Sequence, residues 1–163
     1  DVRASVEPEA PGAVSYSCMA TEKPSMEVTF TKYVTESGSI EYWLRLWNTK
    51  INRKIYPVIR FYIDDIKMEL LAVNNPDDKY IYSAQALYDP GFVRYIPPRF
   101  FVISEDTMNK ILKSNNVYFD FDCATSINNR VYIESDFLDK MREMFKLTYT
   151  DFDNQWKPVD RSK

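Results

Sequence analysis

From residue 26 onward, apolar and polar residues alternate with a period of two, the period of a strand with one face buried. Met26, Val28 and Phe30 fall on one side, and Glu27, Thr29 and Thr31 on the other. A second strand runs over residues 40–47. The intervening Glu36-Ser37-Gly38 suits a three-residue turn with glycine in the left-handed position. That turn sets Val34 opposite Ile40, Phe30 opposite Leu44 and Val28 opposite Leu46. Pattern and turn chemistry therefore dictate one register.

Residues 58–71, VIRFYIDDIKMELL, repeat the logic. With Asp64-Asp65 as a two-residue turn, Ile63 faces Ile66, Phe61 faces Met68 and Ile59 faces Leu70. The other side pairs Arg60 with Glu69 and Tyr62 with Lys67. An opposite-charge cross-strand pair adds about 0.2–1 kcal/mol, and a one-residue slip would set charges against apolar residues. Aspartate tolerates the positive φ that such a turn requires better than most residues.

The remaining pattern predicts strands over residues 14–20, 80–87, 99–103, 117–123 and 130–134. Ser104 reads as the N-cap of a helix whose apolar face is Met108, Ile111 and Leu112. Ser135 reads as the cap of a second, with Phe137, Leu138, Met141, Met144 and Phe145 as its stripe and Asp136 and Lys140 paired outside it. Residues 125–129 are expected as a loop, and the tail from Thr148 as polar except for Phe152 and Trp156. Residues 1–13, with Pro8, Pro11 and Gly12, are expected as an extended N-terminal arm ahead of one β-rich domain over 14–163. Strands dominate and the helices come late. The expected class is therefore α+β, mainly β: an antiparallel β-sandwich or partly open barrel with two helices from the C-terminal half packed on it.

Composition narrows the chemistry. Among 163 residues there is no histidine, which removes the commonest general base and zinc ligand and any Ser-His-Asp or Cys-His site. Only three glycines occur, and no glycine-rich nucleotide fingerprint. A net charge of −3 without a Lys/Arg run argues against nucleic acid as partner. No apolar run is long enough to span a bilayer. No cofactor is implied. The polar, Pro-rich first residues resemble the start of a processed, exported protein, so an extracytoplasmic location, secreted or periplasmic and of bacterial type, is expected.

Four candidate chemistries follow. Asp120 and Asp122 alternate onto one strand face, and Asp64-Asp65, Asp77-Asp78 and Asp151/Asp153 are further acidic pairs. None matches a calcium-loop motif, and solvated faces or turns account for them. Two carboxylates across a cleft could cleave a glycosidic bond. Cys18 and Cys123, the only cysteines, either form one disulfide or remain two buried thiols; without a histidine to activate them, neither is expected to be a nucleophile. Aromatic residues reach 15%. In strand 40–47, Trp43 and Trp47 lie opposite the apolar face, beside Glu41 and Arg45. They lie either under the two helices or on an exposed contact surface. Tyr88, Arg94 and Tyr95 sit in a Pro-rich segment that either forms part of such a contact surface or, through Phe92 and Tyr95, plugs the open end of the sandwich.

The function expected is a non-enzymatic exported binding or structural module that contacts a protein or glycan through an aromatic surface. Two alternatives stand beside it: a small His-free carboxylate-dependent hydrolase, and an assembly subunit that adds its N-terminal arm to a neighbour's sheet.

Overall fold

The computed structural model describes residues 2–9, 11–22, 26–48, 55–73, 98–123 and 126–156. The elements are β1 (Val2–Pro8), β2 (Ala13–Glu22), β3 (Met26–Thr35), β4 (Ile40–Asn48), β5 (Ile55–Ile63), β6 (Ile66–Leu71), β7 (Arg99–Ile103), α1 (Glu105–Lys113), β8 (Val117–Cys123), β9 (Ser126–Tyr132), α2 (Ser135–Met144) and α3 (Tyr149–Trp156). Every strand pairing among the described residues is antiparallel. One sheet has the order β1-β2-β3-β4-β7, the other β6-β5-β8-β9. The fold is α+β, mainly β, and among the described residues the strands form two open sheets that do not close into a barrel.

Both expected hairpin registers are present. Val34 pairs with Ile40, Phe30 with Leu44 and Val28 with Leu46. Gly38 sits at φ 91°, and the Gly38 and Thr35 amides donate to the Thr35 and Ser39 carbonyls, which closes the three-residue turn. In the second hairpin Ile63 pairs with Ile66, Phe61 with Met68 and Ile59 with Leu70. Asp64 and Asp65 both take positive φ, 48° and 68°, the backbone of a type I′ turn.

The inner faces of the two sheets share one core with α1 and α2. Phe30, from the middle of the five-stranded sheet, is its hub. Its ring meets Phe61 of the other sheet at 6.4 Å, edge to face, and Phe137 of α2 at 5.8 Å. Tyr42 meets Phe145 just past the end of α2 at 5.7 Å. Lys32, on the same inner face, is buried. Its ammonium donates to the carbonyls of Phe145 and Leu147 at 2.9 and 2.8 Å, so a cation caps the C-terminal end of α2. Arg99 is also buried; its Nε donates to the Ile55 carbonyl at 2.7 Å and ties β7 to β5 across the two sheets.

Several expectations need correcting. The N-terminal arm is extended but not free-standing: β1 pairs with β2 along its whole length, and Val2 and Val6 pack against the core. The polar tail folds into a third helix. Thr148 and Asp151 make a reciprocal cap at its start, in which the Thr148 amide donates to Asp151 Oδ2 at 2.7 Å and the Asp151 amide to Thr148 Oγ1 at 3.4 Å. Residues 126–129, expected as loop, belong to β9. Ser135 is the first helical residue of α2 rather than its cap, which is Glu134. Lys140 pairs with Glu143 at 3.2 Å, three residues on. The expected strand over residues 80–87 lies outside the described residues.

Candidate functional site

The five-stranded sheet has a second face, turned away from the core. Its side chains form a lattice set by strand register. One row crosses the sheet as Ser5, Ser17, Thr31, Trp43 and Val102. The next runs Arg3, Met19, Thr29, Arg45 and Phe100, and the row on the other side Glu7, Ser15, Tyr33 and Glu41. Neighbouring strands lie about 4.8 Å apart, so side chains in a row touch across strands. The residues mid-row on β1, β2 and β3 are mostly serine and threonine. Those around them are large: Tyr33, Trp43, Arg45, Phe100, Met19 and Arg3. Small side chains ringed by large ones leave a hollow, here about 700 Å³.

Trp43 and Trp47 therefore do not lie under the helices. Phe30, Lys32 and Tyr42, which meet α2 and its C-terminal end, have the opposite parity to Thr31 and Trp43, so the helices cover the other face. Trp43 is half-buried and lines the hollow, held edge to face by Phe100 at 6.4 Å and 82°. Trp47 stands one row further along β4, where the Arg45 guanidinium lies 5.6 Å from its ring centroid. That cation–π contact positions the arginine head. Arg45 Nε is buried and has no hydrogen-bond acceptor among the described residues. A buried unpaired donor costs about 1–3 kcal/mol and is uncommon enough to call for a cause.

The floor is partly self-bonded. Ser17 Oγ and Thr31 Oγ1 share a hydrogen bond at 2.9 Å, and Ser15 Oγ donates to Glu9 Oε1 at 2.8 Å. Two arginines, Arg3 and Arg45, and two glutamates, Glu7 and Glu9, line the hollow, so the lining carries no net charge.

The outer face of the four-stranded sheet is built differently. Tyr62, Tyr118 and Tyr132 form one row, with the first two rings stacked at 4.7 Å. Arg130 lies 4.3 Å over the Tyr118 ring and grips Asp120 with two hydrogen bonds, at 2.8 and 3.0 Å. Arg60 grips Asp122 in the same way, at 3.1 and 3.0 Å. These ion pairs raise the pKa of both arginines, through the hydrogen bond to the carboxylate first. Asp120, expected to face solvent, is buried beneath its arginine. Each carboxylate of the expected acidic pair thus has its own cation, and this face closes upon itself.

The other candidates fall in place. Asp64 accepts from Ser114 Oγ at 2.6 Å in the turn, and Asp151 caps α3, which lowers its pKa. Cys18 and Cys123 are buried thiols on different sheets, not joined in a disulfide. Burial, its largest cause, pushes the Cys18 thiol up to about 12, far from the thiolate a nucleophile needs. Among the described residues no group of three or more Cys, Asp or Glu side chains stands ready to hold a metal ion. No described helix is long and apolar enough to cross a membrane. Tyr88, Arg94, Tyr95 and the Asp77-Asp78 pair lie outside the described residues, as does the Asp153 side chain.

The hollow itself was not legible from local pattern. Trp43, Trp47 and Arg45 stood out in β4, but Ser5, Ser17 and Thr31 carry no signal alone. No family model, curated protein or solved structure matches this chain.

Proposed function

We propose that the protein is a non-enzymatic binding module that holds its ligand against the outer face of the five-stranded sheet. The observation that carries this reading is the hollow walled by Trp43, Arg45 and Phe100 over a serine–threonine floor. The outer face of the other sheet pairs its rings and charges with one another, whereas this one sets indole and phenyl rings around a concavity. Aromatic residues and arginine are the side chains most often found to dominate binding energy. In the same place Arg45 holds a donor without an acceptor among the described residues. Asp120 and Asp122, the acidic pair on the other sheet, are paired with Arg130 and Arg60.

The test compares wild type with a Trp43→Ala/Arg45→Ala variant and a Lys67→Ala/Glu69→Ala control on the other sheet. Each is passed over protein and polysaccharide fractions of the source organism. A contact surface here predicts at least a tenfold loss of retention for the first variant alone, with its melting temperature little changed. Equal retention of all three proteins overturns the reading.

A further inference from the structure

We infer that the ligand of this hollow is an uncharged glycan, with a pyranose ring laid against Trp43; the inference rests on the binding-module reading above. Four observations select this chemistry. First, the charges cancel: Arg3 and Arg45 are balanced by Glu7 and Glu9, so the lining has no net charge to select a phosphate, sulfate or polyanion. Second, the floor is hydroxyl-rich. Serine is depleted where proteins meet proteins, and the centre of such an interface is apolar, whereas Ser5, Ser17 and Thr31 occupy the middle row here. Hydroxyls that both donate and accept match a ligand whose own groups are hydroxyls.

Third, the aromatic rings of the wall, Tyr33, Trp43 and Phe100, gather toward the β3–β4–β7 side. Trp43 and Phe100 stand on β4 and β7, while Glu7 and Glu9 stand at the β1 side. A sugar ring has the same two-sidedness. Its C–H face is apolar and weakly positive and packs on the electron-rich face of an indole, and its rim presents hydroxyls. Fourth, the Arg45 Nε–H lacks an acceptor among the described residues, and Arg45 lines the same hollow. A sugar hydroxyl that draws the side chain round gains a charge-assisted bond, and the protein loses its unpaired donor. The hollow of about 700 Å³ lies within the range of sites that enclose a small ligand.

The experiment is a glycan array that carries neutral oligosaccharides (β-glucans, chitooligosaccharides, mannans, galactans and xylans) beside sulfated and uronic-acid glycans. It is probed with wild type, Trp43→Ala and Trp43→Phe, each checked for native melting and circular dichroism. The expected result is binding of at least one neutral series, nearly unchanged between low and high salt. Trp43→Ala should weaken it tenfold or more and Trp43→Phe should retain most of it. Binding confined to acidic glycans and falling with salt overturns the inference, as does neutral binding indifferent to Trp43→Ala. If no neutral glycan binds while a protein fraction is retained through Trp43 and Arg45, the glycan is refuted and the contact surface stands. If neither is retained, both fall.

Discussion

Among single residues, Cys18 has the clearest consequence for stability. Burial raises its pKa from 9.0 to about 12, because a thiolate in the apolar core has no compensating solvent. The unfolded chain therefore loses this proton first. The contribution is whole below pH 9 and is lost as pH rises through the window up to about 12. Lys32 acts in the opposite sense: its lowered pKa lets stability rise with pH just below 10.5. Tyr16 and Tyr42, both raised by burial, add losses above 10. The Cys18→Ala variant separates these effects. Between about pH 9 and pH 11, wild type should lose about 1.4 kcal/mol more per pH unit than the variant in urea unfolding. Parallel curves would mean that the thiol ionises as readily in the folded core as in the unfolded chain.

At the scale of elements, the β5–β6 turn shows how two identical residues differ. Asp64 and Asp65 both occupy left-handed backbone, which is unfavourable for any residue with a Cβ. Asp65→Gly relieves that cost, offset in part by glycine's extra freedom in the unfolded chain, and should gain about 0.5–1 kcal/mol. Asp64 has a further task, since its carboxylate accepts from Ser114 Oγ, the cap residue at the end of α1. Asp64→Gly should therefore bring no gain, or a loss of about 1 kcal/mol. Urea midpoints of the two variants decide this; equal midpoints would mean that the link between turn and helix contributes nothing. The Thr148–Asp151 cap of α3 is a comparable local device, written as Thr-x-x-Asp ahead of a segment too polar to announce a helix by periodicity.

At the scale of the molecule, Phe61 joins the two sheets. It is wholly buried, edge to face with Phe30 of the five-stranded sheet and stacked on Phe119 of its own at 5.3 Å. Phe61→Ala should cost about 3–5 kcal/mol, and the cavity would open where the sheets and α2 converge. Tyr62→Ala, one residue away on the outer face, should cost far less. A loss below about 1 kcal/mol for Phe61→Ala, measured by urea unfolding, would refute its place in the core. Because the outer hollow lies across the sheet from this core, Trp43→Ala should alter binding without comparable loss of stability.

Strand pairing in both hairpins, and the buried stripe of α2, were determined by the sequence alone. Each depends on neighbours close in the chain: a period of two, a period of 3.6, and turn residues whose backbone preferences admit one register. The tertiary structure decided which face of β4 the helices cover. Both faces of that strand carry apolar rings, so local pattern could not choose; the packing of α2 against Phe30 and Tyr42 did. It also made the hollow. Ser5, Ser17 and Thr31 come from three strands, and they become one floor only because register carries each beside the next. A concavity of that kind is a property of several strands in alignment, and no window of sequence contains it.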